Sequence, residues 1–254
     1  MISNETLEKL ARQYQVGIFP NIVREYFQHV FLGELYKLED AGKMLFKGGT
    51  ALRVIYGSPR FSEDLDFSLF GVTRNETKSF VEKLFVHVLA EIERAGIKVE
   101  LGNKVYDTRG GEGYYGVASF HALEYPPIDV EINVSLRAGQ NAGEVDSIAN
   151  NFVPTYNIIH LPQKELVDEK IFDALVQRKK PRDFYDLYFI MRKGMLLPEQ
   201  KKHLAEIQDT IVSNAKLVNF RGELGAFLPV DQQTVIRDFP AMLERELKRQ
   251  LSSA

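Results

Sequence analysis

The chain contains no cysteine, which removes disulfides, thiolate metal sites and cysteine nucleophiles from the chemistry open to it. Histidine is sparse. His29, His87, His121, His160 and His203 are scattered, with no pair at metal-ligand spacing, so a zinc hydrolase is not expected and the rings read as surface or satisfied core residues. No Ser-His-Asp arrangement or nucleophile elbow is visible. No apolar run approaches the length of a membrane span, and the N-terminus lacks the basic region, apolar core and cleavage site of a signal peptide. A cytoplasmic protein without membrane contact is expected. A dominant charge sign is also missing: with a formal net charge of -3, any nucleic-acid contact must come from a local basic patch. Repeats, low-complexity tracts and long disordered linkers are absent.

What is present suits a folded globular protein. The 254 residues, 44% hydrophobic and 26% charged, can bury the core of one large or two modest domains. Residues 5–40 read as helices, with Leu7, Leu10, Ala11 and Tyr14 and then Ile22, Val23, Phe27, Val30, Phe31 and Leu35 at helical spacing. Residues 75–95 form another amphipathic helix, closed by Ala95-Gly96. Strands follow around Lys98–Leu101, Gly113–Ala122 and Ile128–Ser135, and Gly110–Gly113 reads as a flexible loop between two of them. From about Pro162 the pattern is helical, through 163–178, 181–193, 198–217 and 231–251. This order predicts an α+β fold: a mixed sheet with flanking helices over residues 1–160, then a mainly helical domain over 161–254 that contributes to the active site.

The most informative stretch is KGGTALRVIYGSPRFSEDLDFS at residues 47–68. Met44, Leu45 and Phe46 read as a strand end, and Gly48 and Gly49 permit positive φ and close approach of a phosphate. Thr50 adds a hydroxyl, and Ala51, Leu52, Val54, Ile55 and Tyr56 make a short helix closed by Gly57, Ser58 and Pro59. Beyond it Asp64 and Asp66 alternate with Leu65, Phe67 and Leu69. Period two puts both carboxylates on one face of a strand. A solvated face gives the same alternation. A carboxylate pair in oxygen-only surroundings also suits Mg²⁺, which completes its octahedron with water and substrate phosphates.

Two further elements carry charge in a pattern. In Ile128–Val134, Asp129 and Glu131 share a face by the same alternation, either as edge solvation or as part of a carboxylate cluster whose mutual repulsion calls for a cation. In residues 165–188, ELVDEKIFDALVQRKKPRDFYDLY, Leu166, Ile171, Phe172, Leu175 and Val176 form an apolar helical stripe. Pro181 starts a new helix, with Asp183 in its first turn, where an acid is favoured. Arg178, Lys179, Lys180 and Arg182 make a basic run suited to a nucleic-acid backbone or to a solvated helix end.

The KGGT turn followed by Asp64-Leu65-Asp66 resembles the nucleotidyltransferase superfamily. With Arg60 and Ser62 it is similar more narrowly to the AbiEii/AbiGii group of bacterial type IV toxins, which includes the MenT nucleotidyltransferase toxins. The later Arg182-Asp183-x-x-Asp186-Leu187 motif, preceded by Lys170 and the basic run, matches the same group, so the resemblance spans residues 43–190. It implies nucleotide contacts at Lys47, Gly48, Gly49, Thr50, Arg60, Ser62, Lys170 and Asp186, and metal ligation by Asp64, Asp66 and a third carboxylate, Glu131 or Asp129. It implies catalytic roles for Asp66, Lys170, Glu131 and an aspartate of the later motif, with Asp183 favoured over Asp186. RNA would lie along Arg178, Lys179, Lys180 and Arg182. The implied reaction is Mg²⁺- or Mn²⁺-dependent transfer of a nucleoside monophosphate from a nucleoside triphosphate to RNA, with the tRNA 3′ end as acceptor and a separately encoded antitoxin as partner. A protein or small-molecule acceptor, or a silent binding module, are the alternatives. The last sixty residues show only a generic helical pattern.

Overall fold

Backbone hydrogen bonding joins the strands into one seven-stranded mixed sheet. The computed structural model describes residues 2–102, 113–121 and 124–252, so Gly110, Gly111 and Glu112 of the expected flexible loop lie outside the described residues. The chain divides into two units, Met1–Gly57 with Phe61–Leu161, and Ser58–Arg60 with Pro162–Ala254.

The first unit opens with α1 (Asn4–Tyr14), a π-helical turn (Ile18–Ile22) and α2 (Val23–Leu35). Ser3 caps α1 by accepting the Thr6 N–H at 3.2 Å, a hydrogen bond that satisfies one orphan donor of the first turn. A 3-10 turn leads into β1 (Met44–Lys47), then α3 (Gly48–Val54), β2 (Asp64–Leu69) and α4 (Arg74–Arg94). Helix α4 begins with a capping box, in which Glu76 accepts the Thr73 N–H at 3.2 Å. Strands β3 (Lys98–Gly102), β4 (Gly113–His121), β5 (Ile128–Leu136), β6 (Glu144–Ile148) and β7 (Tyr156–His160) complete it.

The strand order is β3-β4-β5-β2-β1-β7-β6. Strand β2 pairs antiparallel with β1 and parallel with β5, so it lies inside the sheet with a neighbour on each side. The aromatic core joins the helices to the sheet: Phe31 meets Phe85 edge to face at 5.4 Å, Phe85 meets Tyr114 at 5.6 Å, and Phe27 stacks on Phe120 at 4.5 Å. Leu65 and Phe67 of β2 and Ile128, Val130, Ile132 and Val134 of β5 are buried. The alternate positions of both strands therefore share the opposite face, where the carboxylates lie.

The second unit begins with α5 (Gln163–Asp168), which continues through a π-helical segment (Glu169–Leu175) into α6 (Val176–Arg178). It proceeds through α7 (Pro181–Lys193), α8 (Pro198–Ala215), α9 (Phe220–Leu224), a 3-10 turn, α10 (Gln233–Ile236) and α11 (Phe239–Leu251). The single helix expected over 231–251 is broken near Asp238. Pro240 is the reason: it has no N–H to give and its ring would strike the carbonyl four residues back, so it sits in the first turn of a new helix. Strands β6 and β7 were not expected. Glu144, Val145, Asp146 and Ser147 are all exposed on this edge strand, so β6 carries no alternating signal.

Candidate active site

Pairing of β2 with β5 decides which side chains are neighbours. The register sets Asp64 opposite Glu131 and Asp66 opposite Asn133. Asp64 and Asp66 are half-buried on one face, as period two requires, while Leu65 and Phe67 point into the core. Asn133 donates its amide N–H to Asp66 Oδ1 at 3.3 Å. In β4, Tyr115 stands opposite Asn133, and its hydroxyl donates a hydrogen bond to Glu131. Burial, and then the negative charges of Glu131, Asp64 and Asp129, raise the Tyr115 phenol above its ordinary value. The ring thus registers a locally negative face.

The glycine turn is built around Asp66. Gly48 has φ +86, and a Cβ placed there would overlap Asp66 Oδ2 and lie 2.9 Å from the Asp66 Cβ. Positive φ and the contact together exclude any side chain at this position. Lys47, in register with Asp66 across β1 and β2, is buried, as is Gly49. The Thr50 hydroxyl donates to the Asp64 carbonyl at 2.5 Å, tying α3 to the start of β2. Its proton is therefore committed to the backbone. Ser62 is half-buried, and its carbonyl accepts the Gln28 amide at 3.0 Å.

Asp129 lies on the same face two residues before Glu131, accepts the Ser119 hydroxyl at 2.5 Å and is exposed. Among the described residues no three His, Asp or Glu side chains are gathered as a set that could hold a metal ion. Register brings Glu131 beside Asp64 and Asn133 beside Asp66.

The helical unit holds a second polar constellation, centred on Asp186, which is fully buried on α7. Arg60 grips it with two parallel bonds, Nε to Oδ1 and Nη2 to Oδ2, each 2.9 Å, and Lys170 Nζ donates to Oδ2 at 2.8 Å. Burial opposes the Asp186 charge, but Arg60 and Lys170 outweigh it and hold the carboxyl below its ordinary value. Arg60, expected to meet nucleotide, holds Asp186 through Nε and Nη2 of its guanidinium fork. Lys170 differs, because an ammonium has three donors and only one is used among the described residues.

Asp183 is also fully buried. One of its oxygens accepts Arg178 Nη2 at 2.8 Å and the other the Lys180 N–H at 3.3 Å, which makes it the cap of α7. Within the basic run, Arg182 approaches Glu223 at 4.0 Å, while Lys179 and Lys180 are exposed. His160, one of the scattered histidines, is buried and satisfied by Asp146 at 3.0 Å and the Leu161 carbonyl at 2.9 Å.

Asn133 and Tyr115 escaped the sequence reading. Asn133 had a signal, since it continues the period-two face of Asp129 and Glu131. Tyr115 had none, because only the β4 to β5 register brings it to that face.

No curated protein matches the chain. Among solved structures the fold is similar to JHP933 of Helicobacter pylori, with a TM-score of 0.63 at 19% identity over 100% of this chain and 94% of that one. It is also similar to MenT4, a nucleotidyltransferase toxin of Mycobacterium tuberculosis H37Rv, with a TM-score of 0.61 at 17% identity over 100% of this chain and 91% of that one. Both likenesses speak to the fold. Residues 30–250 match the family model described as nucleotidyl transferase AbiEii toxin, type IV toxin–antitoxin system. That match takes in both the Asp64/Asp66 face and the Lys170/Asp186 constellation, and the chain belongs to the AbiEii family of nucleotidyl transferase toxins.

Proposed function

We propose that this chain transfers a nucleoside monophosphate from a nucleoside triphosphate to an RNA acceptor, the tRNA 3′ end, and is held in check by a separately encoded antitoxin. The observation that carries the reading is the Asp64/Asp66 pair on one strand face, with Asp66 held by the Asn133 amide and seated against Gly48. Two carboxylates with no nitrogen or sulfur donor fit Mg²⁺ or Mn²⁺, which leaves room for water and phosphate oxygens. Such a cation would neutralise charge at the transferring phosphorus.

The chain's own groups do the rest. The backbone at Gly48 and Gly49, free of Cβ atoms, permits a phosphate to approach closely. Lys170, oriented by Asp186, has two donors unused among the described residues and offers them to phosphate oxygens. That link supports Asp186 as the activity-critical aspartate of the later motif, acting as a positioning residue, where the sequence favoured Asp183. Glu131, exposed on the carboxylate face, takes the proton of the attacking hydroxyl as its oxygen bonds to the α-phosphorus and pyrophosphate departs. Lys179 and Lys180 supply backbone contacts to RNA.

The test is incubation of the purified protein with each α-³²P-labelled nucleoside triphosphate, Mg²⁺ and total tRNA, beside Asp66→Ala. Label entering RNA with the native protein alone is the expected result. Failure of all four nucleotides to label RNA would sink the tRNA reading and turn the search to protein or small-molecule acceptors.

A further inference from the structure

Helix α11, within the last sixty residues whose sequence shows only a generic helical pattern, forms a basic concavity with α7. Tyr188 and Arg192 are four apart on α7, and Met242, Arg245, Glu246 and Arg249 line one stripe of α11. Helical spacing gathers each group on one side of its helix. Together they line a cavity of about 300 Å³. The walls are fixed: Gln250 Nε2 on α11 donates to the Met191 carbonyl of α7 at 2.9 Å, and the Tyr188 ring packs against Phe239 at 5.6 Å.

Its charge is out of balance. Arg249 is bound to Glu246, with Nε to Oε2 at 3.0 Å and Nη2 to Oε1 at 2.5 Å, and Glu246 also accepts Gln250. That pair cancels. Arg192 lies in the field of Glu246 without closing an ion pair, and Arg245 closes none among the described residues. Two guanidinium groups thus remain in excess, in a chain whose formal charge is -3. An aromatic wall beside them narrows the ligand. Guanidinium forks match phosphate oxygens, and a tyrosine face stacks on a base of any sequence. A cavity of this size accommodates a ligand on the scale of one nucleotide.

We infer that the cleft between α7 and α11 binds a phosphorylated nucleoside presented by a single-stranded RNA segment, with its phosphate on Arg192 and Arg245 and its base against Tyr188. This rests on the RNA-acceptor reading and adds a docking point to it. An acidic peptide would satisfy the arginines but would leave the tyrosine face unused.

The experiment is fluorescence anisotropy of a 5′-labelled single-stranded RNA of mixed sequence, titrated with the full chain, with Arg192→Gln/Arg245→Gln and with the remote exposed Lys78→Gln. Free adenosine monophosphate and a glutamate-rich peptide serve as competitors. The double variant is expected to bind about fivefold or more weakly with an unchanged melting temperature, and its slope of log affinity against log salt should shrink by about 0.7, the share of one single-strand phosphate contact. Lys78→Gln should behave as the native chain. Equal affinity and slope in the double variant would overturn the inference. So would arginine-dependent binding of the peptide with no binding of RNA. Native label transfer beside an unaltered double variant would fault the cleft alone. Arginine-dependent RNA binding without label transfer would keep the cleft and fault the reaction.

Discussion

Asp66 and Asp186 carry the same side chain in opposite settings. Asp186 is sealed from water and clasped by two cations, Arg60 and Lys170, so its charge is matched inside the helical unit. Asp66 is half-buried, takes an amide hydrogen bond and faces a strand surface shared with Asp64, Glu131 and Asp129, whose negative field Tyr115 records. A charge balanced by built-in partners makes a structural joint. Charges of one sign gathered on a partly open face suit a cation that arrives with substrate.

That contrast breaks or sharpens under substitution. The largest effect is expected on activity from Asp66→Ala: a loss of about a thousandfold or more, some 4 kcal/mol of barrier, while the midpoint of urea unfolding stays close to native. If that variant unfolds, the two aspartates are not of different kinds. Asp186→Asn should do the reverse first, lowering unfolding free energy by about 3 kcal/mol, because it leaves the buried Arg60 and the half-buried Lys170 beside a neutral amide.

The pH dependence has a definite sign. Asp186 has a folded value below its ordinary one, so its contribution is complete above the ordinary aspartate value of 3.8 and is lost as pH falls through the folded value. Acid unfolding curves of the native chain and Asp186→Asn should therefore converge only at the acid end. Gly48→Ala comes next, at about 2 kcal/mol, from positive φ and the clash with Asp66; it should impair activity as well. Adding Mg²⁺ at about ten times its dissociation constant should stabilise the native chain by about 1.4 kcal/mol in a thermal melt, and Asp66→Ala much less. The smallest effect belongs to Lys179→Ala/Lys180→Ala, whose stability should stay within about 0.5 kcal/mol of native while RNA binding weakens.

Legibility in the sequence followed the physical strength of each signal. The face shared by Asp64 and Asp66 was readable because two core side chains, Leu65 and Phe67, alternate with them. Helix α4 was readable because its apolar stripe is long and its end carries Ala95-Gly96. Strand β6 was not readable, since an edge strand with four exposed residues has no core face to advertise itself. Asn133 beside Asp66, and Tyr115 beside Glu131, depend on strand register, which composition does not specify. The grip of Arg60 on Asp186 joins residues 126 positions apart, and no local pattern announces such a pairing.

One consequence follows from the short stretch Ser58–Arg60, which groups with the helical unit although both its neighbours in the chain belong to the sheet unit. The helical unit is thus discontinuous in the gene. Translation delivers Arg60 long before Lys170 and Asp186 emerge, so the triad cannot close until most of the chain has been made. A fragment starting at Pro162 would carry Asp186 and Lys170 without their arginine, and no single proteolytic cut could release the two units as intact halves.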